Sequence, residues 1–222
     1  VETELDVLRE RGFGVPNVEL LEACLFGCGP GPEVIGLMRS LKKSNAMTTM
    51  LIAKMVDIAA EDWTYAREIC REFVAKPLWA PGLFEYEAIT AALSNVQALR
   101  KMNLEGCHIA VVQNCLNEVP NDAQEKTVQN ILEAFNRLQT GAIALVIDRA
   151  NYASTTKMLR MMVTNITNFP RLEIINDDDF EKTINCRDLH KNVPPVVTDN
   201  LLYTGRKTEE SDGLIFMSHI DY

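Results

Sequence analysis

Short apolar runs rich in β-branched residues alternate with segments of helical period, and this alternation restricts the fold more than any other feature of the chain. Residues 18–26, 50–56, 108–113 and 142–147 read as strands, and 85–93 is a third strand in chain order with a helix as its competitor. Residues 33–43, 63–74, 96–102, 122–138 and 155–168 carry apolar positions three and four apart and read as helices. Two prolines mark 76–82 as a loop. The strand runs are almost continuously apolar, which fits strands buried on both faces of a parallel sheet. The expected fold is therefore α/β, a mostly parallel sheet with helices on both faces. Residues 201–204 and 214–220 read as two strands joined by the polar stretch 205–213, so an antiparallel C-terminal hairpin is expected to end the sheet.

At 222 residues the chain suits one domain. Residues 2–11 read as a helix closed by Gly12 and Gly14, so 1–17 is taken as an N-terminal helix and linker, the end of an upstream region, with the main domain at 18–222. With 47% hydrophobic and 24% charged residues, a disordered chain is excluded. The longest apolar runs, such as 143–147, are far too short to span a membrane. Lys and Arg number 22 against 31 Asp and Glu, a formal charge of −9. Nucleic-acid binding needs a positive footprint, so a small-molecule or protein substrate is favoured, with room for an upstream domain or partner subunit. The six cysteines form no CxxC pair and only three histidines accompany them, so zinc spacing is missing and no metal is expected. Reduced, buried thiols point to an intracellular, cytoplasmic protein.

The chemistry concentrates after the first strand, in Leu25-Phe26-Gly27-Cys28-Gly29-Pro30-Gly31. Glycines at such a turn let the backbone approach a ligand, and the next helix presents free N–H groups. The pattern is GxGxG, not the GxGxxG of dinucleotide oxidoreductases, and no lysine follows as in the phosphate loop of nucleotide hydrolases. It resembles motif I of the class I S-adenosylmethionine-dependent methyltransferases. The second strand ends at Asp57, 26 residues beyond Gly31, and the block His108-Ile109-Ala110-Val111-Val112-Gln113-Asn114-Cys115-Leu116-Asn117-Glu118-Val119-Pro120 resembles that family's fourth strand and active-site loop. A helix, the turn Thr140-Gly141 and a fifth strand follow in the family's order.

The resemblance implies a Rossmann-like seven-stranded sheet and S-adenosylmethionine as cofactor. It assigns cofactor binding to Gly27, Cys28, Gly29 and Gly31 at the glycine turn, Asp57 and Ile58 at the ribose, Ser94 and Asn95 at the adenine, and Gln113 and Asn114 at the tip of strand four. Asn114, Asn117 and Glu118 become the catalytic candidates, Glu118 as the group that holds a cationic amine or takes its proton. Leu25 occupies a place where family members commonly carry an acid.

Methyl transfer is an in-line displacement in which the protein mainly positions two reactants. The signatures of adenine-N6, cytosine-C5 and ribose-2′-O enzymes are missing, so the acceptor is unassigned. A rival reading keeps the fold and makes the chain a noncatalytic S-adenosylmethionine-binding domain, an assembly or sensing module. Nucleotide-dependent oxidoreduction is the other competitor, disfavoured by the glycine spacing and the tail hairpin. His108 is expected to be a packed core residue and Cys115 a structural one. Trp63 and Tyr65 either flank the adenine or pack under the second helix. Asp177, Asp178 and Asp179 read as a solvated turn.

Overall fold

A computed structural model describes residues 1–44, 47–149, 152–175 and 213–220. In chain order the elements are α1 (Glu2–Glu10), β1 (Leu20–Phe26), α2 (Pro32–Lys43), β2 (Met50–Asp57), α3 (Thr64–Cys70), a π-helical turn (Arg71–Ala75), α4 (Lys76–Trp79), β3 (Leu83–Thr90), α5 (Val96–Lys101), β4 (Ile109–Gln113), α6 (Gln124–Asn136), β5 (Ile143–Arg149), α7 (Ala153–Asn165), β6 (Leu172–Ile174) and β7 (Gly213–Ile220). Strands β3, β2, β1, β4 and β5 form a continuous parallel sheet. Beyond β5 lies β7, antiparallel to it from Ile143 opposite His219 to Arg149 opposite Gly213, and β6 pairs antiparallel with the outer side of β7. Residues 201–204, expected as the partner of 214–220, and the acidic run 177–179 fall outside the described residues.

The apolar strands are apolar because both faces are covered. Along β1, Leu21, Ala23 and Leu25 enter one core with Leu5, Leu8, Leu37, Met38 and Trp79, contributed by α1, α2 and α4. Cys24 and Phe26, alternating with them, enter the opposite core with Ile131, Phe135, Met158 and Met162 from α6 and α7. Helix α1 thus packs into the same core as α2, with Leu8 fully buried. His108 is tied into the sheet as expected of a packed residue: its Nδ1 accepts the Glu22 N–H at 3.1 Å, and burial lowers its pKa.

Two stretches depart from the sequence reading. Residues 76–79 are helical, not loop. Pro77 stands in the first turn of α4, where a missing N–H is tolerated, and the buried Trp79 anchors that turn in the core. Strand β6 has only three residues, too few to show an alternating pattern.

The strand order reverses between β1 and β4, since β2 and β3 lie to one side of β1 and β4 and β5 to the other. A crevice at the carboxyl ends of the strands is expected at such a switch point. Beside it, in the first turn of α2, Glu33 is buried and its Oε2 lacks a hydrogen-bond partner among the described residues. Desolvation pushes its pKa from 4.5 up to about 7, against the opposing hydrogen bond from its own N–H. A carboxyl whose folded pKa is raised contributes stability below the unfolded value, and that contribution is lost as pH rises through the folded value. Stability is therefore expected to fall between pH 4.5 and about 7. Glu33→Gln should remove that fall, so that urea denaturation finds the variant more stable than wild type by about 3 kcal/mol at pH 8 and not at pH 4.5. Unfolding free energies that run parallel with pH in the two proteins would refute this assignment.

Candidate functional site

The crevice holds a cavity of about 390 Å3. Gly27 and Gly29 form one end, Asp57, Ile58, Ala59 and Trp63 one wall, and Ala91 to Ser94 the floor beyond β3. Asn114, Cys115 and the segment Glu118–Pro120 close the opposite side, with Ala123 and Thr127 behind them.

The glycine turn is left-handed at Gly27 (φ 65°), Gly29 (φ 50°) and Gly31 (φ 86°), a conformation that side chains with Cβ rarely adopt. Space also excludes a side chain at Gly27, where a Cβ would lie 2.5 Å from that of Cys115. Cys115, whose thiol pKa is raised well above its usual value by burial, thus backs the turn as a packing residue. The Gly27 N–H donates to the Val56 carbonyl at 2.7 Å, and Gly31 initiates α2.

Gly29 is held at both polar groups. Its N–H donates to Asp57 Oδ2 at 2.8 Å, and its carbonyl accepts from Arg67 Nε at 2.9 Å. Asp57 Oδ1 in turn accepts the Ala59 N–H at 2.9 Å, and Arg67 Nη1 donates to the Ala60 carbonyl at 2.6 Å. A closed circuit of four hydrogen bonds therefore joins the glycine turn to the β2–α3 loop. Arg67 is only 2% exposed, and its remaining Nη2 has no hydrogen-bond partner among the described residues. Each Asp57 oxygen spends one acceptor site on a backbone N–H and keeps capacity toward the cavity.

The far wall begins at Asn114, the only non-glycine residue with positive φ (53°) among those described. Asparagine tolerates this region better than most residues. Its N–H donates to the Ile147 carbonyl at 2.9 Å, and the chain then leaves β4 into a single 3-10 turn, Leu116–Glu118. Asp148, buried at the end of β5, anchors that turn by accepting the Leu116 N–H at 2.7 Å. Glu118 is exposed at the mouth.

Of the residues expected at the site, Gly27, Gly29, Asp57, Ile58, Ser94, Asn114 and Glu118 line the cavity. Cys28 and Gly31 lie in the same turn but outside the lining; Cys28 is buried, and desolvation raises its thiol to about 12. Asn95 is also outside the lining and caps α5, its Oδ1 accepting the Ala98 N–H at 3.2 Å. Gln113, at the end of β4, and Asn117, within the 3-10 turn, do not line the cavity, and each has a buried side-chain oxygen with no partner among the described residues. Trp63 lines the cavity, while Tyr65 points to solvent. Sequence reasoning missed Arg67 and Asp148. Arg67 carried no local signal, and Asp148 only that of an acid ending an apolar strand.

No protein-family model and no curated protein matches the chain. Solved structures do. The N-methyltransferase NodS of Bradyrhizobium japonicum, in complex with S-adenosyl-L-homocysteine, aligns with 100% of this chain and 86% of its own, at 12% identity and a TM-score of 0.54. A SAM-dependent methyltransferase of Methanosarcina mazei aligns over 92% of this chain and 95% of its own, at 13% identity and a TM-score of 0.53. The chain has the class I, Rossmann-like methyltransferase fold. At such identities the likeness concerns the fold alone. Among the described residues no helix is long and apolar enough to cross a membrane.

The circuit generates a prediction about Arg67. Arg67→Met keeps an apolar stem and removes both charge-assisted donors, leaving the Gly29 and Ala60 carbonyls without them. The expected loss is about 3 kcal/mol of unfolding free energy in urea denaturation. Arg67→Lys should recover only part of it, because an ammonium lacks the planar fork that spans two carbonyls. Wild-type stability in Arg67→Met would refute the role given to this residue.

Proposed function

We propose that the chain is an S-adenosylmethionine-dependent methyltransferase, with the cofactor held across the carboxyl ends of β1, β2 and β4. The single observation behind this reading is the arrangement of one cavity between a left-handed glycine turn, a strand-ending carboxylate and an apolar floor. The residues fit the group in three respects. Asp57 keeps acceptor capacity on both oxygens, as a ribose diol requires. Ile58, Ala91, Ala92 and Leu93 offer apolar contact for a purine, with Ser94 beside them for a polar edge. Gly27 and Gly29 bring bare backbone to the cavity at the end assigned to the amino-acid portion.

When bound, S-adenosylmethionine supplies an electrophilic methyl group on a sulfonium centre. The remaining work falls to positioning and to protons. Asn114 and Glu118 stand on the wall opposite Asp57, at the tip of β4, and are read as the acceptor side. The exposed carboxylate of Glu118 at the mouth suits a cationic amine, which it would orient and relieve of a proton. A negatively charged chain favours such a substrate by steering. The acceptor is accordingly proposed to be an amine of a small molecule or a protein, in the cytoplasm. The antiparallel β7 beside β5 agrees with this reading, since the reversed last strand sets the expected sheet apart from plain Rossmann domains.

Two measurements test the assignment. Calorimetry should find binding of S-adenosylmethionine and S-adenosylhomocysteine but not NAD. Asp57→Ala should weaken it by about 2–4 kcal/mol, or roughly 30- to 1000-fold, through loss of two charge-assisted hydrogen bonds. Unchanged affinity in a folded variant would refute the ribose role. In turnover assays over a panel of amine acceptors, Glu118→Gln should lower kcat at least about tenfold while cofactor affinity stays within a factor of about two. Equal turnover would leave Glu118 outside the chemistry.

A further inference from the structure

The helical segment running from α3 through the π-turn to α4 has one face that nothing among the described residues covers. Tyr65 is 80% exposed, Phe73 77% and Ile69 44%. They recur every four residues, so they form one stripe. Two residues further along, Arg67 and Ala75 are buried. Within α3 two residues correspond to about 200° of helical rotation, and in the π-turn Ala75 is likewise buried two residues from Phe73, so the stripe points away from the core. Among the described residues no buried contact explains large apolar side chains there. Trp63 and Ile58, also exposed, extend the patch to the lip of the cavity. Tyr65 and Phe73 alone leave on the order of 300 Å2 in water, at about 200 Å2 for each full side chain. With Ile69, Trp63 and Ile58 the patch reaches the several hundred Å2 that mark interaction sites rather than scattered surface residues.

The order of residues identifies the occupant. Centred on Ile69, Tyr65 and Phe73 stand four residues to either side, and Asp62 and Lys76 stand seven to either side. An antiparallel copy of the same segment, related by a twofold axis at Ile69, therefore sets Tyr65 against the other copy's Phe73, and Asp62 against its Lys76. The charges are available for this. Asp62 makes no side-chain ion pair among the described residues. Lys76 pairs with Glu72 at 2.7 Å in an exposed i, i+4 contact, which is weak enough to be exchanged. The neighbouring acids Glu68 and Glu72 share Arg71, at 2.9 Å each, so Glu72 keeps an ion pair when Lys76 leaves it. We propose that this face is a self-association surface on which two copies of the chain pair antiparallel, each partner contributing an area that approaches the about 800 Å2 of a standard interface.

Sedimentation velocity across a range of protein concentrations tests it. The full chain should move from monomer to dimer as concentration rises. Ile69→Glu sets two carboxylates against each other at the axis and should raise the dimer dissociation constant at least about a hundredfold. It lies on the solvent face, so the fold should be kept, and thermal unfolding of the dilute variant checks this. Asp62→Lys and Lys76→Asp should each weaken the dimer several-fold, and together restore it. Asp62 precedes α3 and Lys76 begins α4, so within one copy the two stand at opposite ends of the segment and recovery can arise only between copies. A monomer at every concentration would assign the face to another segment or another kind of partner and overturn the proposal. A dimer indifferent to Ile69→Glu, or a charge swap without recovery, would overturn it equally.

Discussion

Gly29 is the point on which the cavity depends. Its backbone takes a left-handed conformation with no side chain to brace it, and both its polar groups would otherwise need other partners. Asp57, the last residue of β2, takes the N–H, and Arg67, within α3, donates to the carbonyl. One end of the circuit is a carboxylate and the other a guanidinium, so each bond is charge-assisted and stronger than a neutral one. The turn after β1 and the loop after β2 are therefore braced against each other. That arrangement aims the Asp57 carboxylate before any ligand arrives, which lowers the ordering cost of binding.

The two sides of the cavity are built differently. The glycine side is pinned by backbone hydrogen bonds and by Cys115 filling the space against Gly27. The β4 side is a short 3-10 turn held chiefly by Asp148, with Glu118 in solvent and unpartnered oxygens on Gln113 and Asn117 nearby. A fixed side suits a group common to every turnover. A less constrained, more exposed side suits the variable partner, which agrees with the proposed division into cofactor and acceptor walls. Functional variation of this kind concentrates on loops carried by a rigid scaffold.

Legibility followed the range of the interactions. Gly27, Gly29, Asp57, Asn114 and Glu118 were readable through the family resemblance of the glycine turn and the strand-four block, and each lies at or shortly past the end of a strand that a local apolar run marks. Ser94 was readable by its place after β3, but its neighbour Asn95 spends its side chain on the cap of α5, outside the cavity lining. Arg67 was hidden because its partner Gly29 is 38 residues away and an arginine on a helix ordinarily reads as a surface residue. Asp148 likewise meets Leu116 across 32 residues.

The sequence by itself determined the α/β class, the parallel strands, the glycine turn and the carboxylate at the end of β2. These follow from periodicity and from the steric freedom of glycine, both local properties of the chain. Tertiary structure decided which of those elements meet. It made 76–79 helical despite Pro77, by burying Trp79. It recruited the three residues of β6 into the sheet, because an existing edge at β7 supplied the hydrogen bonds that so short a strand cannot organise for itself. It also buried Arg67 beneath Gly29, since only the packed sheet brings the β2–α3 connection over the turn after β1 and lets one cation satisfy two carbonyls far apart in the chain.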